Sequence, residues 1–399
     1  MRILINDYAG HPFQVQLSRE LARRSHVVKH VYADFFQTPH GRLNNNKLDA
    51  KTFSIRSISI GGEFDKHKNW IKRRKQEIRY GAVCAELIDS FRPDVVISAN
   101  TPLDAQRVII KKCQALRIPF VFWVQDLYSV AIKRILSKKL PLLGWLIGYL
   151  YEVLEKRLLS QSDAIVIISE DFVQQMERWG IRGVDILTIP NWAPIDEIPV
   201  SQKDNPWARE HDVSETFNFV YTGTLGMKHN PELLLHLARE LADKPEIRFV
   251  ILSEGPGADL IKSKARQSGL DNVLVLGFQS FERYPEVLGS ASVLVAILEQ
   301  DASVFSVPSK VLSYLCAKRP LLLAVPQENL AARIVAENQA GIVVSPDRPG
   351  DFVNGAQRLY HDHVLRETMA TNARRYAENN FNIRSIADKF ETIIKSKQQ

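Results

Sequence analysis

Ser303-Val-Phe-Ser-Val-Pro-Ser-Lys-Val-Leu-Ser-Tyr-Leu-Cys-Ala-Lys-Arg-Pro320, running on into Leu321-Leu-Leu-Ala-Val-Pro326, carries the pattern from which the fold is read. Pro308 stops the preceding segment, Ser309 suits an N-cap, and Lys310 to Ala317 reads as a short helix that ends before Pro320. Leu321 to Val325 is then a fully buried strand. A helix start between two buried strands turns backbone N–H groups and partial positive charge outward, so an anion site is expected here with Lys310 at its mouth.

The same unit recurs in both directions. Arg2 to Asn6 is a buried strand, and Asp7-Tyr-Ala-Gly-His-Pro12 turns into an amphipathic helix that runs through Arg24. Further strands are expected at Val27 to Tyr32, Pro93 to Ser98, Pro119 to Val124 and Ala164 to Ser169, with helices through Leu116 and from Ser129 to Ser160. A second series opens at Phe217 to Thr222 and continues at Arg248 to Leu252, Val273 to Leu276, Ser292 to Ile297, Leu321 to Val325 and Gly341 to Val344. Strand and helix alternate throughout, which implies parallel sheets with crossover helices.

The fold class is therefore α/β, two Rossmann-like doubly wound domains facing a central cleft. Residues 1–195 form the first domain, 196–215 a linker rich in Pro, Ser, Asp and Asn, and 216–378 the second domain. Ligands of such sheets bind at strand C-terminal ends.

Charge and composition narrow the function. The chain has 399 residues and a formal net charge of +7. Residues 1–200 carry 29 Lys+Arg against 21 Asp+Glu (+8), and residues 201–399 carry 23 against 24 (−1). The basic runs Lys66 to Arg79 and Lys133 to Lys139 flank apolar or aromatic residues, which suits a surface facing anionic lipid or nucleic acid, a solvated helix face being the commoner reading of any single run. No nucleic-acid motif accompanies them, so no nucleic-acid partner is expected.

The longest uncharged apolar run, Leu140 to Tyr151, is too short to span a bilayer, since about 20 residues are needed. Set beside Lys133, Arg134, Lys138 and Lys139, it reads equally as an interfacial helix and as a buried crossover helix. Cys84, Cys113 and Cys316 lack ligand spacing and read as reduced core residues of a cytoplasmic protein. A strand starting at Arg2 leaves no room for a signal peptide before it.

Several strand exits carry candidate chemistry. Thr222-Gly-Thr-Leu-Gly-Met-Lys-His-Asn230 opens with Gly223 and places Lys228 near a helix start. Ser253-Glu-Gly-Pro-Gly257 is a second glycine-rich exit, and Phe278 and Gln279 can meet a nucleobase after a third. With Pro308-Ser-Lys310 these describe a nucleotide-diphosphate pocket. No Asp-x-Asp pair, His/Cys cluster or His-Glu-x-x-His pattern occurs, so no metal and no cofactor are expected, and lysines neutralise the diphosphate. His361-Asp-His363 reads as solvated. In the first half, Asp126 follows a buried strand, where it can deprotonate an acceptor hydroxyl or cap the next helix. Asp7 and His11 lie in the first loop, and Ser169-Glu170 ends another strand.

With these residues in place the chain resembles the family 4 retaining glycosyltransferases, most closely the branch that builds bacterial colanic-acid, capsule and O-antigen units. The resemblance rests on Leu21-Ala-Arg-Arg-Ser-His-Val-Val28, Pro93-Asp-Val-Val-Ile97, Val124-Gln-Asp-Leu-Tyr128, Ile189-Pro-Asn-Trp192, Tyr221-Thr-Gly-Thr-Leu-Gly226, Ser253-Glu-Gly-Pro-Gly257, Val307-Pro-Ser-Lys310 and Asn380-Phe-Asn-Ile383, in that order. It implies GT-B architecture, with 379–399 as a terminal helix that returns to the first domain. The implied partners are a nucleotide sugar, a lipid-linked or saccharide acceptor, and an anionic membrane contacted peripherally.

By this resemblance Asp126, Lys228 and Lys310 carry catalysis. The donor meets Gly223, Thr224, Lys228, Glu254, Phe278, Gln279, Pro308, Ser309, Lys310, Val311 and Ser313; the acceptor meets Gly10, His11 and Asp126. The chain departs from the family where two glutamates usually stand, at Phe305 and Ser313, and where an arginine is usual, at Thr224. Glu299 or Asp301 is a substitute carboxylate. A nucleotide-sugar epimerase and a degenerate nucleotide-sugar-binding protein are the alternatives.

Overall fold

A computed structural model describes residues 1–35, 42–60, 70–226, 229–300 and 308–397. The chain forms two units, residues 1–191 with 383–399, and residues 192–382.

The first unit runs β1 (Arg2–Asp7), α1 (Pro12–Arg23), β2 (Val27–Ala33), β3 (Phe53–Ile58), α2 (Trp70–Phe91), β4 (Val95–Ala99), α3 (Leu103–Leu116) and β5 (Phe120–Val124). It continues α4 (Tyr128–Lys139), α5 (Pro141–Ser160), β6 (Ala164–Ile167), α6 (Asp171–Arg178) and β7 (Asp185–Thr188). All seven strands are parallel, in the order β3-β2-β1-β4-β5-β6-β7. Ile3, Leu4, Ile5, Val95, Val96 and Ile97 are wholly buried, as expected of parallel strands covered by helices on both faces.

The second unit runs α7 (Pro206–Glu210), β8 (Phe217–Thr222), α8 (Pro231–Glu240), β9 (Ile247–Leu252), α9 (Pro256–Gln267), β10 (Val273–Leu276), α10 (Tyr284–Gly289) and β11 (Val293–Ile297). Then come α11 (Lys310–Cys316), β12 (Leu321–Ala324), α12 (Leu330–Glu337), β13 (Gly341–Val344), α13 (Pro349–His361) and α14 (His363–Asn380). Its strands are parallel in the order β10-β9-β8-β11-β12-β13. In both sheets the strand order reverses beside the first strand, between β1 and β4 and between β8 and β11, which opens a crevice at the C-terminal ends of those strands.

The closing helix α15 (Ile383–Lys395) belongs to the first unit. It buries Ile383, Ile386, Ala387, Phe390, Ile393 and Ile394 at helical spacing, with the Phe390 ring 4.7 Å from that of Trp123. Arg24 ties it down by donating to Asp388 at 2.7 Å and to the Arg384 carbonyl at 2.7 Å.

Two readings change. The segment expected to be a linker is folded into the second unit: Ile198, Trp207 and Val213 are buried, Asn205 caps α7, and Arg319 donates to the Ser201 carbonyl at 3.0 Å. Its turn-forming composition reflects caps and bends on a packed surface. The helical region from Ser129 to Ser160 is two helices, because Leu140 leaves helical geometry (φ −140°, ψ 82°) where Pro141 starts α5. All three cysteines are free and buried, and His361, Asp362 and His363 are exposed. No helix among the described residues is long and apolar enough to cross a membrane.

Candidate functional site

Lys310 is the first residue of α11, and its side chain turns back onto the end of β8. Nζ donates to the Tyr221 hydroxyl at 2.5 Å and lies 3.8 Å from the centre of that ring. The Tyr221 hydroxyl in turn donates to the Thr224 carbonyl at 3.0 Å, so both of its roles are filled. Gly223, at φ +108°, makes this approach feasible: a Cβ there would sit 3.2 Å from Cε and Nζ of Lys310, in a backbone conformation that other residues rarely adopt. Lys310 is partly accessible at the surface, yet its amine is enclosed by protein. Desolvation pushes its pKa down to about 7. Among the described residues no carboxylate pairs with it. A half-charged amine at the crevice of a doubly wound sheet is poised to take up an anion together with a proton.

Behind it, Thr222 is clamped by two phenols. Its N–H donates to the Tyr314 hydroxyl at 2.9 Å, and its Oγ1 lies 3.1 Å from the Tyr284 hydroxyl. Ser313 bonds the same Tyr284 hydroxyl, so the residue at one family glutamate position is part of this internal network.

The other donor candidates divide. Glu254 is exposed and accepts from the Phe278 N–H at 2.9 Å, which joins the β9 and β10 exits. Phe278 is half-buried, and Thr224 and Ser309 are exposed. Gln279 is engaged at both ends of its amide, accepting from Trp207 Nε1 at 3.1 Å and donating to the Gly277 carbonyl at 3.2 Å.

Val311 is wholly buried, on the face of α11 that points into the core, so it is withdrawn as a donor contact. Pro308 is buried as well. Ser309 does not cap α11: its backbone is already helical (φ −56°, ψ −26°) and its side chain makes no cap hydrogen bond. The N–H groups of Val311 and Leu312 bond back to the Pro308 and Ser309 carbonyls, so the helix start offers fewer free donors than its sequence implies. Glu299 is half-buried just beyond β11. Lys228, Asp301 and Phe305 lie outside the described residues.

In the first unit the corresponding crevice is the Asp7–His11 turn. Asp7 is wholly buried, and its carboxylate accepts from the N–H groups of Ala9 (3.2 Å), Gly10 (3.0 Å) and His11 (2.6 Å). Gly10, at φ +71°, completes the turn, and His11 stacks on Phe13. Burial outweighs the three donors and pushes the Asp7 carboxyl up to about 8. The folded protein therefore holds a proton here that the unfolded chain has already released near its ordinary value of 3.8. This contribution to stability is fully present below about pH 4 and is lost as pH rises through about 8. Asp7→Asn is expected to flatten that part of the pH profile, as measured by the midpoint of denaturant unfolding between pH 5 and 9; an unchanged slope would place the proton elsewhere.

Asp126 is half-buried just past β5 and does not cap α4. That role falls to Glu155, which sequence reasoning missed. From α5, Glu155 accepts from the N–H groups of Tyr128 (3.1 Å) and Ser129 (2.9 Å) and from the Ser129 hydroxyl at 2.5 Å. Burial, with the nearby Asp126 charge, pushes it up to about 7. Gln125, the neighbour of Asp126, accepts from Asn191 Nδ2 at 2.6 Å. Ser169 and Glu170 form the start of α6, where Ser169 bonds Asp171. Among the described residues no group of three or more His, Cys, Asp or Glu is placed to hold a metal ion.

Residues 11–192 match the glycosyl transferase 4-like domain and residues 204–376 match glycosyl transferases group 1. The chain is 23% identical over 251 residues to a protein named as the colanic acid biosynthesis glycosyl transferase WcaI of Escherichia coli (strain K12), covering 62% of this chain and 60% of that one. It is 27% identical over 180 residues to the alpha-D-kanosaminyltransferase of Streptomyces kanamyceticus, covering 44% and 45%. The chain thus spans less than two thirds of the length of either relative. Among solved structures, Anabaena HepE in complex with UDP and glucose superposes with a TM-score of 0.71 at 13% identity, over 99% of this chain and 100% of that one. These matches are to transferases, which sets the epimerase alternative aside. With two parallel Rossmann-like sheets and family matches across both units, the chain belongs to the family 4 glycosyltransferases of the GT-B type.

Proposed function

We propose that the protein transfers a sugar from a nucleotide diphosphate sugar to a lipid-linked or saccharide acceptor, with retention of configuration, in bacterial surface polysaccharide synthesis at the cytoplasmic face of the membrane. The observation that carries this reading is the Lys310 amine, held against Tyr221 under Gly223 at the strand-order reversal of the second unit. A diphosphate placed there restores the charge that desolvation suppresses, and the charged lysine stabilises the departing nucleotide diphosphate. Lys228 is proposed to assist it. The base is assigned to the Phe278 edge of the same sheet, beside the Glu254 bridge, while the first unit is assigned the acceptor through Asp126 and the Gly10–His11 turn. Asp126 receives the acceptor proton as the sugar, oxocarbenium-like after the nucleotide leaves, is attacked on the face just vacated. The solved relative bound to UDP and the polysaccharide relative both support the choice of donor and pathway class.

A melting-point screen against UDP, GDP, dTDP and ADP and their sugar conjugates tests it, because a ligand that binds only the folded state raises the melting point. One base is expected to give a selective rise of several degrees, followed by donor-dependent transfer to a membrane lipid extract. No rise with any nucleotide would overturn the reading; a rise without transfer to any acceptor would reduce the protein to a nucleotide-sugar binder.

A further inference from the structure

Eight of the fifteen exposed large apolar side chains among the described residues fall between Leu140 and Val153. At 100° per residue, Leu142, Leu146, Tyr149 and Val153 line up along α5, with Trp145 on one flank and Leu143 and Leu150 on the other, a stripe roughly 160° wide. Leu142 is 88% exposed. Soluble domains rarely leave so much contiguous apolar surface without a partner.

The opposite face of α5 is committed. Gly144 and Gly148 lie against α4 so closely that a Cβ on Gly144 would sit 2.2 Å from the Leu136 carbonyl oxygen, and one on Gly148 2.5 Å from Lys133 Cα. With Glu155 bound to the start of α4, the two helices form one plate and the stripe has no freedom to turn inward.

Charge selects the occupant. Residues 128–160 carry six Lys and Arg against two Asp and Glu, and one of the two acids is Glu155, buried under α4. The positive charge is set beside the stripe: Lys138 is exposed, and Lys133, paired with Glu152 at 3.0 Å, lies 5.9 Å from the Trp145 ring. Trp145 and Tyr149 stack at 5.8 Å, which suits the headgroup level of a bilayer. A second copy docked symmetrically would bring the same cations face to face. No described helix crosses a membrane, so the plate lies in the plane of the interface.

We propose that the exposed face of α5, flanked by the basic residues of α4, docks this protein on an anionic lipid surface, with Leu142, Trp145, Leu146 and Tyr149 entering the headgroup region. This deepens the transferase reading by naming the surface that brings the enzyme to a lipid-borne acceptor. Vesicle binding and nucleotide binding are measured separately, so either can fail alone.

Flotation with vesicles of phosphatidylethanolamine and phosphatidylglycerol, against vesicles of phosphatidylcholine alone, tests it. The wild type is expected to float with the anionic vesicles, at least about tenfold better than with the neutral ones, and to be released by high salt. Leu142→Glu with Leu146→Glu, and separately Arg134→Glu with Lys138→Glu, are each expected to lose about tenfold or more in vesicle affinity while keeping the wild-type circular dichroism spectrum and nucleotide-induced melting shift. Wild type that stays at the bottom of the gradient, or variants that float as well as wild type, would overturn the proposal. So would a concentration-dependent wild-type dimer abolished by Leu142→Glu with Leu146→Glu, which would assign the face to a second copy.

Discussion

Lys310→Ala is expected to weaken binding of the nucleotide sugar by roughly 10- to 150-fold and to lower kcat/KM at least as much. A hydrogen bond to a charged group contributes ~1.5–3 kcal/mol, and the contact proposed between Lys310 and the diphosphate is of this kind. The pH dependence separates this role from simple packing. With the free amine pushed down to about 7, Lys310 is neutral above that pH, and binding a permanently ionised sugar pyrophosphate must draw a proton from solvent. Affinity should be flat below pH 7 and fall by up to about tenfold per unit above it, until the pKa of the complex is reached. Tyr221 does not titrate in this window, because burial holds its phenol far above 10. Lys310→Arg keeps its charge throughout and should give a flat profile, whatever its absolute affinity. Titration calorimetry from pH 6.5 to 9 in buffers of different ionisation enthalpy reads the proton directly. A pH-independent wild-type affinity with no proton uptake would remove Lys310 from the diphosphate.

The second large effect is on stability. Phe390→Ala is expected to lower the unfolding free energy of the first unit by ~3–5 kcal/mol, although only nine residues follow Phe390 in the sequence. The ring is wholly buried against Trp123 of the interior strand β5, and α15 can withdraw from the cavity only by giving up Ile386, Ile393 and Ile394 as well. Five large side chains of that helix, each contributing about 1.5–3 kcal/mol on burial, amount to about 10 kcal/mol, comparable with the net stability of a whole domain. Chemical denaturation followed at Trp123 and by circular dichroism measures it. A loss under about 1 kcal/mol would show that α15 is an accessory rather than part of the core.

Much of the architecture was legible because parallel strands are buried on both faces and so read as unbroken apolar runs. Ile3-Leu-Ile5, Phe120-Val-Phe-Trp-Val124 and Leu321-Leu-Leu-Ala324 need no periodicity argument, and glycine marks the exits that follow them at Gly10 and Gly223. Lys310 was legible for the same reason, since a lysine directly after Pro-Ser at a strand-to-helix turn has few places to go.

The errors share a different cause. Ser309 has the residue type of a cap but a helical backbone, and Val311 is adjacent in sequence to Lys310 but one helical step round the cylinder, which turns it into the core. Gln279 looks like a base reader until Trp207, 72 residues away, takes its carbonyl. Of the two roles the sequence leaves open for Asp126, the cap of α4 belongs instead to Glu155 on the following helix.

The amino-acid sequence by itself determined which segments are strands and helices, that both sheets are parallel, and that Lys310 stands at a crevice. These follow from local patterns of burial and backbone freedom, which a few neighbouring residues settle between them. Only the tertiary structure decided that Glu155 holds the start of α4, that burial beside Tyr221 and Gly223 desolvates the lysine and pushes its pKa down to about 7, that residues 196–215 are packed rather than loose, and that the apolar face of α5 is left uncovered. Each depends on desolvation or on a partner tens of residues away, and neither quantity exists until the chain has folded and water has been excluded from one side of the group.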